Sequence, residues 1–183
     1  MNFVAWAIIA CEILFWVVIV TGLCVRYLFK RPKLGLFFLA LTPLLDLVLL
    51  VIAGVDLSNG ATATIAHALA AVYISVSVVF GKSMIRWADE RFRYYVTKQG
   101  PPPLKRTGRD HALHYFKSWL MHLLAFLLGA GLLYGLIVWI DDPSRTEALQ
   151  SILGIWTIVV GIDLLIAGSY FLWPRKEKTK ISA

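Results

Sequence analysis

The sequence predicts an all-α, polytopic membrane helical bundle with five transmembrane helices, the N-terminus outside and the C-terminus cytoplasmic. Three observations predict it. Of 183 residues, 59% are hydrophobic and only 16% charged, against about 45–50% and about 25% in soluble domains. Five apolar runs, roughly 3–25, 34–55, 62–81, 117–140 and 148–173, are long enough to cross a bilayer. The Lys and Arg residues gather in alternate connections: the 26–33 turn, the 82–116 loop with Lys117 at its end, and the tail hold 17 of 18. Positive residues stay on the cytoplasmic side, so these three segments face inward. This pattern excludes an ordinary soluble enzyme, a disordered chain and a disulfide scaffold.

The first run has no basic segment before it, carries Glu12 and is followed by Arg26, Lys30, Arg31 and Lys33. A cleaved signal peptide has the opposite polarity, so the run is expected to be a retained span. Cys11 and Cys24 lie about 20 Å apart along that helix and cannot pair. In the second run Pro43 cannot donate to the Leu39 carbonyl, which predicts a kink beside Asp46. Leu57-Ser58-Asn59-Gly60 is a turn cluster. The third span is expected to continue as an amphipathic helix over Lys82–Lys98, with Met84, Ala88, Phe92 and Tyr95 on one face. Gln99-Gly100-Pro101-Pro102-Pro103 breaks it.

Asp110 is placed to cap a helix that runs into the fourth span. That span carries Gly131 and Gly135 in a GxxxG pattern, which predicts close helix packing. Asp142-Pro143 is expected to open the fifth span as N-cap and first helical residue, with Ser144 and Glu147 as an alternative capping box. Gly154, Gly161 and Gly168 form one nearly vertical stripe on the fifth span, a second packing face; Trp156, Asp163 and Tyr170 form another stripe. The outer turns are too short to fold alone and the inner loop is too small for its own core, so residues 1–183 read as a single membrane domain.

Ionisable groups at membrane depth are costly, normally face the protein interior and point to function. Glu12, Asp46, His67 and Asp163 are the candidates. At 1.5 Å per residue, Glu12 and Asp46 both fall about 14–15 Å below the outer surface, near the midplane, with Asp163 deeper and His67 shallower. In one shared bundle Glu12 and Asp46 would face each other, as proton or cation sites. The plainer alternative is a protonated acid bonded across helices as packing glue.

In the inner loop, Arg86, Arg91, Arg93, Lys105, Arg106 and Arg109 are candidates to contact anionic lipid headgroups or a partner protein. A loop pinned to the bilayer is not expected to bind nucleic acid. His111 and His114 stand beside Asp110, but no third ligand sits at standard spacing, so no metal is expected. No nucleophile, metalloprotease, P-loop or dinucleotide motif occurs, and no cofactor is expected. Two function classes follow. One is a non-enzymatic scaffold or regulator working through helix packing and the basic loop. The other is a small homo-oligomeric transporter of protons, cations or a small solute, using Glu12, Asp46 and Asp163.

The Ala-Ile-Ile-Ala-Cys-Glu12 run, the segment from Arg86 to Phe92 and the exit Trp173-Pro174-Arg175-Lys176 resemble a family of uncharacterised small integral membrane proteins of Gram-positive bacteria, the YmcC type. The resemblance covers nearly the whole chain. It implies residence in a bacterial cytoplasmic membrane and assigns no functional residue.

The orientation is checked by cysteine labelling in a variant lacking Cys11 and Cys24. Asn59→Cys should react with an impermeant maleimide on intact cells, and Lys98→Cys only after permeabilisation. The reverse pattern would invert the topology.

Overall fold

The computed structural model describes residues 3–95, 98, 102 and 106–174, with residues 3–5, 7, 8 and 12 described by their backbone alone. It contains α1 (Phe3–Tyr27), α2 (Pro32–Ala40), α3 (Thr42–Ser58), α4 (Ile65–Tyr95), α5 (Gly108–Ile140) and α6 (Glu147–Leu172). Five stretches are long and apolar enough to cross a membrane, with α2 and α3 forming one of them. At 31 and 33 residues, α4 and α5 run to about 45–50 Å. Both exceed a hydrocarbon core about 30 Å thick.

The second crossing is divided at Leu41, which keeps helical dihedrals, into α2 and α3. Pro43 removes the donor owed to the Leu39 carbonyl, and the Thr42 hydroxyl supplies it instead at 2.8 Å. The carbonyl that a proline kink would have exposed beside Asp46 is therefore already engaged. At the end of α5, Asp141 adopts φ 50° in the left-handed region and donates its N–H to the Ile137 carbonyl at 3.0 Å.

The start of α6 corrects the sequence reading. Asp142 and Pro143 belong to a turn, and the helix begins at Glu147 with Thr146 as its N-cap. Asp142 Oδ1 accepts the Ser144 hydroxyl at 2.7 Å and its backbone N–H at 3.0 Å. A carboxylate closing a turn on itself in this way competes with helix capping. The same hydroxyl and N–H hold the Asp142 carboxyl below the usual carboxylate range. Asp110 lies in the first turn of α5, whose N-cap is Thr107.

Arg145, the single basic residue outside the three basic segments, is a clasp. Its guanidinium donates to the Ala61 carbonyl at 2.9 and 3.2 Å and to the Leu57 carbonyl. Its own carbonyl accepts the Ala63 N–H at 2.8 Å. It thus ties the α5–α6 turn to the end of α3, where a cation suits the helix dipole.

The helices pack in a chain of neighbours. α1 lies against α2 and α3, α3 against α4, and α4 and α5 pack together and on α6. Small residues of α4 and α5 permit the closest approaches: Ala68, Ala70, Ala71, Ser75 and Ala125 are all fully buried. Leu57, Leu133 and Leu149 close the core near the short turns after α3 and α5. Most other Leu, Ile and Val side chains on α6 point outward, as lipid-facing residues do.

The close-packing glycines are not the expected ones. A Cβ at Gly131, Gly135, Gly154, Gly161 or Gly168 would meet nothing within 4 Å, so both glycine patterns face away from the protein. A Cβ on Gly129 would sit 2.4 Å from the Trp156 ring and 2.9 Å from Ser75 Oγ; one on Gly35 would sit 2.8 Å from the Arg26 Cα and the Gly22 carbonyl oxygen. Overpacking of this kind costs about 1–3 kcal/mol. Gly35→Ala and Gly129→Ala should each lower the thermal midpoint in detergent, Gly35→Ala more because backbone must move. Gly131→Ala, Gly154→Ala and Gly161→Ala should leave it unchanged. Equal effects in the two groups would refute this packing.

Candidate functional site

Between α1, α3 and α4 lies a cavity of about 210 Å³ lined by Cys11, Phe15, Trp16, Leu45, Asp46, Leu49 and Tyr73. It exists because α1 and α4 meet through side chains and not through closely apposed backbones. The Phe15 and Tyr73 rings bridge the gap, nearly parallel at 12° with centroids 6.1 Å apart. Trp16 stands edge-on to Phe15 at 5.7 Å.

Asp46, on α3 three residues after Pro43, is the acidic wall. It is 2% exposed. The Ser77 hydroxyl of α4 donates to its Oδ2 at 2.7 Å. No Lys, Arg or His lines the cavity. Glu12 follows Cys11 on α1, but its side chain lies outside the described residues.

The other membrane candidates stand apart from this cavity. His67 lies in the first turn of α4, where its ring closes the start of the helix. Its Nδ1 accepts the Thr64 N–H at 3.2 Å and lies 2.7 Å from the Thr64 hydroxyl. Nδ1 is therefore unprotonated, the proton is on Nε2, and Nε2 donates to Asp56 at 3.2 Å. A third-position side chain reaching back to the N-cap is the logic of a capping box. Asp163 pairs with His122 across α5 and α6, Nδ1 to Oδ2 at 3.0 Å. The Trp156 N–H donates to His122 Nε2 at 3.3 Å, which leaves the neutral ring its proton on Nδ1, directed at Asp163. Asp46, His67 and Asp163, expected around one site, thus stand in three separate environments.

Sequence reasoning missed both cross-helix pairs. For His122 and Asp163 a signal existed: they lie 18 and 16 residues from the ends of α5 and α6 that the short 141–146 turn joins, so at nearly equal depth. The second pair is Arg26 with Asp89. Arg26 Nε donates to Asp89 Oδ1 at 2.7 Å and Nη2 to Oδ2, while Nη1 reaches the Pro32 carbonyl at 3.0 Å. The Tyr27 hydroxyl adds 2.8 Å to Oδ1, and its ring stacks on Phe92 at 3.9 Å. This joins α1, the start of α2 and the end of α4.

Arg86, Arg91 and Arg93 are exposed on the last turns of α4, with the Arg91 guanidinium 4.9 Å over the Trp87 ring. Arg106 and Arg109 are exposed before and at the start of α5. Lys105 lies outside the described residues. His111 packs edge-on against Tyr170 at 4.7 Å, and among the described residues no His, Cys, Asp and Glu gather as a metal centre.

No known family model matches the sequence, and no solved structure matches it. The chain is 64% identical over 178 residues to the Bacillus subtilis (strain 168) protein named "Uncharacterized membrane protein YmcC", covering 97% of this chain and 96% of that one. Such identity over nearly the full length, together with five helices apolar enough to span a bilayer, shows a multi-pass membrane protein, and the chain belongs to the YmcC family.

Proposed function

We propose that this protein is a small transporter that binds its solute inside the bilayer at the Asp46 cavity, with the basic end of the bundle in the cytoplasm. One observation carries the reading. Asp46 is an acid at membrane depth that borders open volume without a basic partner among the residues lining it. Asp56 and Asp163, by contrast, are each paired with a histidine, His67 and His122, and neither lines the cavity. Those two pairs are read as structural, and Asp46 as the solute site. The glycines on which the scaffold reading relied touch nothing within the chain, so that reading needs a partner helix from another chain.

The basic end then has a supporting role. Arg26–Asp89 fixes the inner ends of α1 and α4, which bound the cavity on two sides. Exposed Arg86, Arg91, Arg93, Arg106 and Arg109 suit anionic headgroups at the cytoplasmic face.

The test is flux in proteoliposomes loaded with a pH-sensitive dye, under proton, Na⁺ and K⁺ gradients and with small organic solutes. Wild type should show flux, and Asp46→Asn should reduce it about thirtyfold or more, as when one partner of a buried charge pair is removed. Asp163→Asn should retain flux in whatever fraction folds, and Glu12→Gln reports whether the neighbouring acid shares the site. Absence of flux in well-folded wild type under every condition would overturn the proposal.

A further inference from the structure

The cavity walls narrow the chemistry of the ligand. This step rests on the cavity being a solute site. An ionised carboxylate at membrane depth needs a counter-charge, and no Lys, Arg or His lines the cavity to supply one. The ligand must bring it, or a proton must neutralise Asp46.

Three kinds of cation meet these walls differently. A hard metal ion takes about six or more oxygen ligands. The lining offers few: the Asp46 carboxylate and the Tyr73 hydroxyl, with the nearby Leu39 carbonyl taken by Thr42. An organic ammonium spreads its charge over methyl groups and is held by aromatic faces. Phe15, Trp16 and Tyr73 provide three rings with neighbouring centroids 5.7 and 6.1 Å apart, on the same wall system as the acid. Trp16 is 65% exposed, so one ring of the set stands at the cavity mouth facing the lipid. At about 210 Å³ the space is below the roughly 300–1,000 Å³ of pockets that take drug-sized ligands.

We infer that the Asp46 cavity takes a small organic ammonium ion that enters from the bilayer past Trp16, with a proton on Asp46 as its alternative occupant. The two cannot share the carboxylate's single charge, so binding one expels the other. Exchange of an ammonium for a proton then follows without further machinery.

Among the described residues, few other titratable groups surround Asp46. Cys11 of α1 and Tyr73 of α4 are the remaining titratable residues on the cavity wall. α5 meets α3 through Leu136 and Trp139 beside Gly54. His67 of α4 is held by Asp56. Lys33 of α2 and the Arg26–Asp89 pair belong to the basic end of the bundle. The neighbouring acid, Glu12, is controlled by Glu12→Gln.

The experiment measures equilibrium binding of labelled phenyltrimethylammonium to the full chain in nanodiscs, with tert-butylbenzene, its uncharged isostere, as competitor. Tryptophan fluorescence reports occupancy by either probe. Wild type should bind the ammonium saturably near pH 8 and more weakly as pH falls, because protonation removes the negative charge. Asp46→Asn should weaken binding about thirtyfold and abolish the pH dependence. Asp46→Glu should restore both, which separates charge from folding. Phe15→Leu should weaken binding about three- to tenfold. Competition by tert-butylbenzene at equal affinity, or unchanged binding in Asp46→Asn, would overturn the ammonium while leaving the solute cavity standing. No saturable response to either probe would overturn both. Binding that is independent of pH in wild type would overturn the proton as alternative occupant.

Discussion

Lipid offers no hydrogen bonds, so each polar group carried into it must find its partner within the protein. The helix arrangement follows from how those partners are found. At the turns after α3 and α5 Arg145 takes the carbonyls of Leu57 and Ala61, and His67 links Thr64 to Asp56. Lower down, Ser77 bonds Asp46, and His122 joins Asp163 to Trp156. At the basic end Arg26 holds Asp89. These links bind helices distant in sequence, which apolar packing against equally apolar lipid does only weakly. Apart from His67, whose partners are one turn and one hairpin away, each links elements more than thirty residues apart.

Packing then works at the same positions. Gly129 makes room for Trp156, whose N–H reaches His122, so the steric and polar fits on α5 and α6 depend on each other. Gly35 lets α2 lie against Arg26, the residue whose guanidinium turns to Asp89 and Pro32. By contrast, the Asp46 region is loosely filled. There α1 and α4 are spaced by aromatic rings, and the acid is bonded to the Ser77 hydroxyl, whereas Asp163 is paired with His122.

The spans were legible because crossing a bilayer demands a long apolar run, and a run is a property of consecutive residues. Asp46 stood out for the same reason, as a charge inside such a run. What was not legible depended on which faces meet. The GxxxG of Gly131 and Gly135 has the spacing of a packing face, yet α5 turns Gly129 inward and leaves the other two outside. Spacing defines a face but does not say what it faces. His122 and Asp163 lie 41 positions apart, and only their common depth in neighbouring helices relates them. Asp142-Pro143 has the composition of a helix start, but a turn closed by Ser144 satisfies the same carboxylate. Phe15 and Tyr73 carry no distinguishing mark among many aromatic residues; the acid beside them gives them significance.

Arg145 bears on the order in which the chain assembles. Its guanidinium and carbonyl engage residues 57–63, which emerge from synthesis more than eighty positions earlier. Until the final hairpin has crossed the bilayer, the Leu57 and Ala61 carbonyls lack the Arg145 guanidinium, and the end of α3 is held there only by the bonds of its own turn. The last helix pair therefore acts as a keystone: its arrival converts separately inserted hairpins into a fixed assembly, and a chain truncated before it would be inserted but not locked.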